Sequence, residues 1–267
     1  MKTTRKILPA LVMLLVSAIM LSTASYAWFA SNSTVTATGM SVKVKANNYY
    51  LEIAKPATTP AFGSGVELTN ETKEIELVHA MFGTPKNPAT APDQLNWYLG
   101  TSNSATSVGD ISNDATALNF GDTTIRDKYV LYNEVLVRMS PSSDIALSNL
   151  TLALTSANGA PITKVTPKDS SKNDPMKATL RILAVAYDPD DDTTVLGAQI
   201  YDAGTGTLVT GADNYLLTSV ALGKQYRIAI YLYFDGQDEV AMTSQAGNLD
   251  AYVVDVAFNA TTPTPGT

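Results

Sequence analysis

From Tyr49 onward the chain breaks into short apolar runs separated by turn-forming clusters, and this spacing constrains the fold more than any other feature. The runs are Tyr49–Ala54, Ile75–Met81, Tyr129–Met139, Leu147–Leu154, Ala178–Tyr187, Val195–Tyr201, Tyr215–Leu222, Tyr226–Phe234 and Ala251–Phe258. They are rich in Val, Ile, Leu and Tyr, which suit a pleated, half-buried surface. Gly, Asn, Asp, Pro and Ser fill the gaps, where they supply turn geometry. An earlier segment, Thr34–Lys45, alternates apolar with polar residues through Val35 and Ala37 and then Met40, Val42 and Val44. Its apolar parity switches at Gly39, which suits a β-bulge: one extra residue turns the following side chains to the other face. Helical periodicity is sparse, with Ile125–Asn133 as the best helical alternative. The expected class is all-β, a β-sandwich or jelly-roll-like fold.

Two stretches interrupt the pattern. Residues 83–124 are rich in Gly, Pro, Asn, Ser, Thr and Asp, with one apolar knot at Leu95, Trp97, Tyr98 and Leu99. They read as a long irregular insertion between strands. Thr166–Met176 reads as a second loop. The Thr- and Pro-rich segment 261–267 reads as a disordered tail, and no internal repeat is evident. The sandwich domain is therefore expected over residues 28–260.

Residues 1–27 read as a helical signal peptide. Lys2, Arg5 and Lys6 form a positive start, Ile7–Leu21 is an apolar run, and small residues lead to Ala24-Ser25-Tyr26-Ala27. Small side chains at Ser25 and Ala27 fit a signal peptidase, which places the cut between Ala27 and Trp28. Ser22 and Ala24 offer a second site by the same rule. The alternative is an uncleaved anchor, with Trp28 and Phe29 at the membrane interface. The apolar run is shorter than the ~20 residues a spanning helix needs, so membrane contact is expected only through the leader before cleavage. There is no LPxTG-like motif or C-terminal basic tail, and covalent wall attachment is not expected. The reading is a secreted protein.

Composition narrows the functions. An apolar fraction of 45% supports a sizeable core. The net charge is −7, which argues against a nucleic-acid partner, because binding phosphates requires a basic patch. There is no cysteine, so disulfides, thiolate metal sites and cysteine nucleophiles are excluded. His79 is the only histidine. A zinc peptidase needs H-E-x-x-H or several imidazoles, and a serine triad needs a base beside a nucleophile. Neither motif is present, so no catalytic residue is assigned, the protein is read as a non-enzyme, and His79 reads as a partly exposed structural residue. No cofactor is expected, since no glycine-rich phosphate loop opens a helix.

Asp188, Asp190, Asp191 and Asp192 form the densest carboxylate cluster. Calcium favours such oxygens, but the spacing lacks the EF-hand Gly and Glu, and Asp and Pro favour turns for local reasons. A solvated hairpin is the preferred reading and calcium the weak alternative. Asp235 and Asp238, around Gly236, read as a conformational device. Asn32, Asn70, Asn149 and Asn259 satisfy N-x-[ST], a tripeptide common by chance.

The segment Ala24-Ser25-Tyr26-Ala27-Trp28-Phe29-Ala30-Ser31-Asn32, followed by Val35, Ala37, Gly39, Met40, Val42 and Val44, resembles the SipW-type signal peptide and first strand of the TasA/camelysin family of Gram-positive bacteria. Tyr226–Asp238 is similar to the penultimate strand and acidic turn of secreted proteins with this leader, and Leu249–Ala260 to their closing strand. The likeness covers the two ends of the chain and leaves the middle unmatched. It implies SipW-dependent export, a jelly-roll-like domain, and assembly into biofilm fibres by donation of the N-terminal strand. Carried onto this chain, the donor strand is Val35, Ala37, Met40, Val42 and Val44, and the partners are copies of itself or other matrix and surface components. The metallopeptidase label of some camelysin relatives finds no support in these residues.

Strand donation has a plain physical basis, since an open sheet edge presents N–H and C=O groups that a neighbour's strand satisfies. The alternative is that this strand pairs within its own domain. Two other functional readings remain. One is a monomeric carbohydrate- or protein-binding module using the 83–124 insertion, with Trp97 and Tyr98 exposed for stacking. The other is a secreted hydrolase, for which no motif is found.

Overall fold

The computed structural model describes residues 41–45, 51–68, 75–82, 95–99, 116–143, 146–155, 158–168, 175–191, 193–209, 215–238 and 252–261. The expected leader with its cut between Ala27 and Trp28, the expected bulge at Gly39, and Val35, Ala37 and Met40 of the expected donor strand lie outside these residues. Within them the chain is all-β. In chain order the strands are β1 (Ser41–Lys45), β2 (Leu51–Ala54), β3 (Gly65–Glu67), β4 (Val78–Phe82), β5 (Leu95–Leu99), β6 (Ala117–Leu118) and β7 (Leu131–Met139). They continue with β8 (Leu147–Leu152), β9 (Lys164–Pro167), β10 (Leu180–Tyr187), β11 (Val195–Asp202), β12 (Thr207–Leu208), β13 (Leu217–Val220), β14 (Gln225–Phe234) and β15 (Tyr252–Thr261). One helix, α1 (Thr123–Tyr129), precedes β7.

The strands form three sheets. The first runs β13-β8-β15-β1-β3, with β9 also on β15. Its β1 is parallel to β15, from Ser41 opposite Asp255 to Lys45 opposite Asn259, and antiparallel to β3. Strands β8 and β9 pair with successive parts of β15. Where they meet, the Thr163 hydroxyl donates to the Ala153 carbonyl (2.8 Å) and accepts from the Ala257 N–H (3.1 Å). The second sheet, β12-β11-β10-β14-β7-β2, pairs antiparallel throughout. The third is β4-β5-β6.

The second sheet is buried on both faces at its centre. Ile182, Ala184, Ile228 and Ile230 share a core with Leu150, Leu152, Val256 and Phe258 of the first sheet. The opposite face of the same strands, with Leu183, Val185, Ala229, Tyr231 and Tyr233, packs on Val78, Ala80 and Trp97 of the third sheet. This explains why Ala178–Tyr187 and Tyr226–Phe234 read as nearly continuous apolar runs rather than alternating ones. Each fully buried aliphatic side chain here contributes roughly 1.5–3 kcal/mol.

Of the insertion expected over residues 83–124, residues 95–99 and 116–124 are described. This part contains β5 and β6, and α1 begins at its end. Short strands of two to five residues escape a periodicity reading, but they cover the outer face of the second sheet. Trp97 and Tyr98 are buried: Trp97 stacks on Phe120 (centroids 4.4 Å apart) and meets Tyr233 edge-on. The helix expected over Ile125–Asn133 starts earlier and stops earlier. The Asp122 carboxylate caps it by accepting from the Thr124 N–H (2.9 Å), and the extended backbone of Val130 ends it.

Two contacts tie the sheets together. Gln199, fully buried on β11, accepts at its Oε1 from the Leu152 N–H (2.8 Å) and the Thr151 hydroxyl (2.9 Å) of β8. Two residues earlier, Gly197 lets the 215–216 segment cross β11 closely. A Cβ there would lie 2.6 Å from the carbonyl oxygens of both Tyr215 and Leu216. Gly197→Ala is expected to destabilise the fold by about 1–2 kcal/mol through overpacking, read as an earlier midpoint in urea. An unchanged midpoint would show that the crossing segment moves freely.

Candidate functional site

The densest set of ionisable side chains gathers where the third sheet meets the end of β14. Strand register builds it. Arg181 on β10 lies opposite Asp202 on β11 and Tyr233 on β14, so the three share one row across the sheet. Asp235 follows Tyr233 by two residues and thus falls on the same side. The chain is fixed there by backbone bonds: the Asp235 N–H donates to the Thr179 carbonyl (2.8 Å) and the Gly236 N–H to the Val78 carbonyl (3.0 Å). The next residue of β4, His79, then meets Asp235, Nδ1 to Oδ1 at 2.7 Å.

Arg181 is the hub. Its guanidinium is buried and donates to the Ala178 carbonyl (2.6 Å), Asp202 Oδ1 (3.0 Å) and Asp238 Oδ2 (3.0 Å). Its Nε lies 3.7 Å from Asp235 Oδ2. Burial opposes ionisation of Asp235. The His79 hydrogen bond and charge, the Gln237 N–H and the Arg181 charge outweigh it and hold the carboxyl below its usual range. Burial, with the Asp235 charge beside it, pushes the Tyr233 hydroxyl far up, so it stays protonated.

A carboxylate on Nδ1 is the arrangement that orients a histidine base and leaves Nε2 for a nucleophile. Among the described residues no Ser or Thr hydroxyl bonds His79, so the set lacks that third member. Its bonds join β4 to the ends of β10, β11 and β14. Sequence reading picked out His79, Asp235 and Asp238 separately and missed Arg181 and Asp202. The available signal was a lone arginine inside the apolar run Ala178–Tyr187.

The carboxylates of the Asp188–Asp191 turn are engaged locally. Asp188 accepts from the Asp190 N–H (2.8 Å), and Asp190 pairs with Lys224 (2.6 Å). Asp191 accepts from the hydroxyls of Thr193 and Thr194, both at 2.7 Å, and these bonds with the Thr193 N–H hold its carboxyl below the usual range. Asp192 lies outside the described residues. Among the described residues no group of three or more His, Asp or Glu side chains is placed to hold a metal.

The stacking platform fares differently from its expectation. Burial of Trp97 and Tyr98 weakens it. The half-buried tyrosines further along the same face are also covered: Arg126 lies 3.9 Å from the Tyr132 ring centroid and Arg227 3.9 Å from that of Tyr187. Of the expected donor strand, Val42 and Val44 lie in β1, which pairs within its own chain. No helix among the described residues is long and apolar enough to cross a membrane. No protein-family model, curated protein or solved structure matches this chain.

Proposed function

We propose that the chain is a secreted, non-enzymatic structural protein of the cell surface or biofilm matrix that assembles with copies of itself through its N-terminal strand. The observation that carries this reading is the place of β1. It is bonded along both edges, to β15 on one side and β3 on the other, and it follows closely on the leader in sequence. The same strand from a neighbouring copy, in the same register, makes the same ladder bonds. We read the first two sheets as a jelly-roll-like sandwich, in which exchange of β1 links one copy to the next without disturbing the second sheet. Cleavage after Ala27 frees the strand only after export, so assembly waits until the protein is outside.

The test uses material secreted from cells and purified. N-terminal sequencing is expected to begin Trp28-Phe29; a start at Met1 in membrane fractions favours the anchor. Negative-stain microscopy is expected to show polymers. Val42→Pro removes a ladder N–H from a strand bonded on both sides and is expected to abolish them. A truncated chain starting at Ala46 is expected to bind the peptide Thr34–Lys45 added in trans. A wild type that stays monodisperse across concentration and pH, with no binding of the peptide, refutes strand exchange.

A further inference from the structure

The large apolar side chains that stand exposed among the described residues are confined to one part of the chain. They are Leu196 (44%), Val209 (37%), Tyr215 (39%) and Leu222 (45%). Two sheet edges fall in that same part: β12 ends the second sheet and β13 ends the first. The close crossing at Gly197 sets the Tyr215 backbone beside β11. The Lys224–Asp190 pair ties the turn after β13, which carries Leu222, to the turn between β10 and β11.

Among the described residues, strand β13 lacks the usual protection of an edge. Among the described residues it pairs only with β8. Thr218 and Ser219 at its centre are exposed, and no Pro, Lys or other charge interrupts it. Natural edges are normally blunted by such residues. Tyr215–Leu222 has no charge, no Pro and no Gly. A segment of this composition pairs readily with an identical one. Charge points to the same partner: without residues 1–27, which hold Lys2, Arg5 and Lys6 and no acid, the net charge of −7 becomes −10, so two copies repel over most pairings but meet along Tyr215–Leu222 without opposing like charges.

We infer that β13 is an interface with a second copy of this chain. The two β13 strands add antiparallel about a two-fold axis, joining the first sheets of both copies and covering Leu222 and Tyr215. An antiparallel pairing of one strand with itself is isologous, so it closes as a dimer. This deepens the self-assembly reading with a second contact that does not use the N-terminal strand.

Because the chain has no cysteine, single cysteines report the contact directly. Opposed residues in an antiparallel pair lie about 4.5–5.5 Å apart between Cα atoms, within disulfide reach. In the secreted protein, an axis on Thr218 or on Ser219 opposes that residue to its own copy and an axis between them opposes the two to each other, so Thr218→Cys alone, Ser219→Cys alone, or an equimolar mixture of the two is expected to oxidise to a covalent dimer, while the exposed control Thr205→Cys stays monomeric. In sedimentation, Thr218→Lys and Leu222→Glu are each expected to raise the dimer dissociation constant at least tenfold, with unchanged circular dichroism. Dimers lost on Thr218→Lys but kept in Val42→Pro support this interface even where no polymers form, in which case strand exchange alone fails. Polymers abolished by Val42→Pro but indifferent to Thr218→Lys and Leu222→Glu overturn the β13 interface alone. A wild type that never dimerises, or equal cross-linking at Thr205→Cys, overturns it as well.

Discussion

Arg181→Met is expected to destabilise the fold by about 3 kcal/mol, measured by urea denaturation at neutral pH. The arginine sits buried among Asp202, Asp235 and Asp238. Removing one partner of a buried charge set leaves the others desolvated and unpaired, which typically costs about 3–5 kcal/mol. The lower end applies because the carboxylates keep part of their contact with water, with 15–21% of each side chain exposed. Methionine keeps much of the volume, so the loss reports charge rather than a cavity. Adding Asp202→Asn and Asp238→Asn to Arg181→Met is expected to restore part of the stability, since these sites share one network. A loss under ~1 kcal/mol for Arg181→Met would show that the cluster is solvated and does not clamp the third sheet.

Asp235→Ala is expected to cost about 2–3 kcal/mol at neutral pH, in the range of hydrogen bonds to a charged group, and far less in acid. The pH dependence separates an ionic role from simple packing. Unfolded, an aspartate titrates near ~3.9; folded, Asp235 is held lower. Between the two values the unfolded chain binds more protons, so stability rises with pH there. The contribution is fully present above the unfolded value and is lost as pH falls through the folded one. Wild type and Asp235→Ala curves of stability against pH should therefore lie apart above ~pH 5 and converge in acid. Parallel curves would assign the effect to packing. His79→Ala removes one of several groups holding Asp235 and is expected to cost less.

The long strands could be read from sequence nearly to their ends. Tyr226–Phe234 became β14 and Val195–Tyr201 became β11 because β-branched and aromatic side chains bounded by turns leave few alternatives. Strands β3, β6, β9 and β12, of two to four residues, carry too little periodicity to register. Strand β5 was hidden differently: Leu95–Leu99 was noticed as an apolar knot, but its polar surroundings masked that it covers Tyr231 and Tyr233. The candidate site was legible only as fragments. His79 and Asp235 are neighbours because a parallel bridge joins Val78 to Asp235, and nothing local in either segment encodes that pairing. The role of Arg181 depends on three strands being in register, a property of the whole sheet.

The position of β15 also sets when the molecule can become compact. Among the described residues, strands β1, β8 and β9 have no common neighbour except β15, and Ser41 waits for Asp255 across nearly the whole described chain. During synthesis the first sheet therefore has no centre until residues 252–261 exist. Contacts so distant in sequence form slowly. The second sheet, by contrast, can begin from the local pairing of β10 with β11. A chain built this way leaves its first sheet incomplete until β15 has been made. Shortening the chain before Tyr252 should leave it open and protease-sensitive.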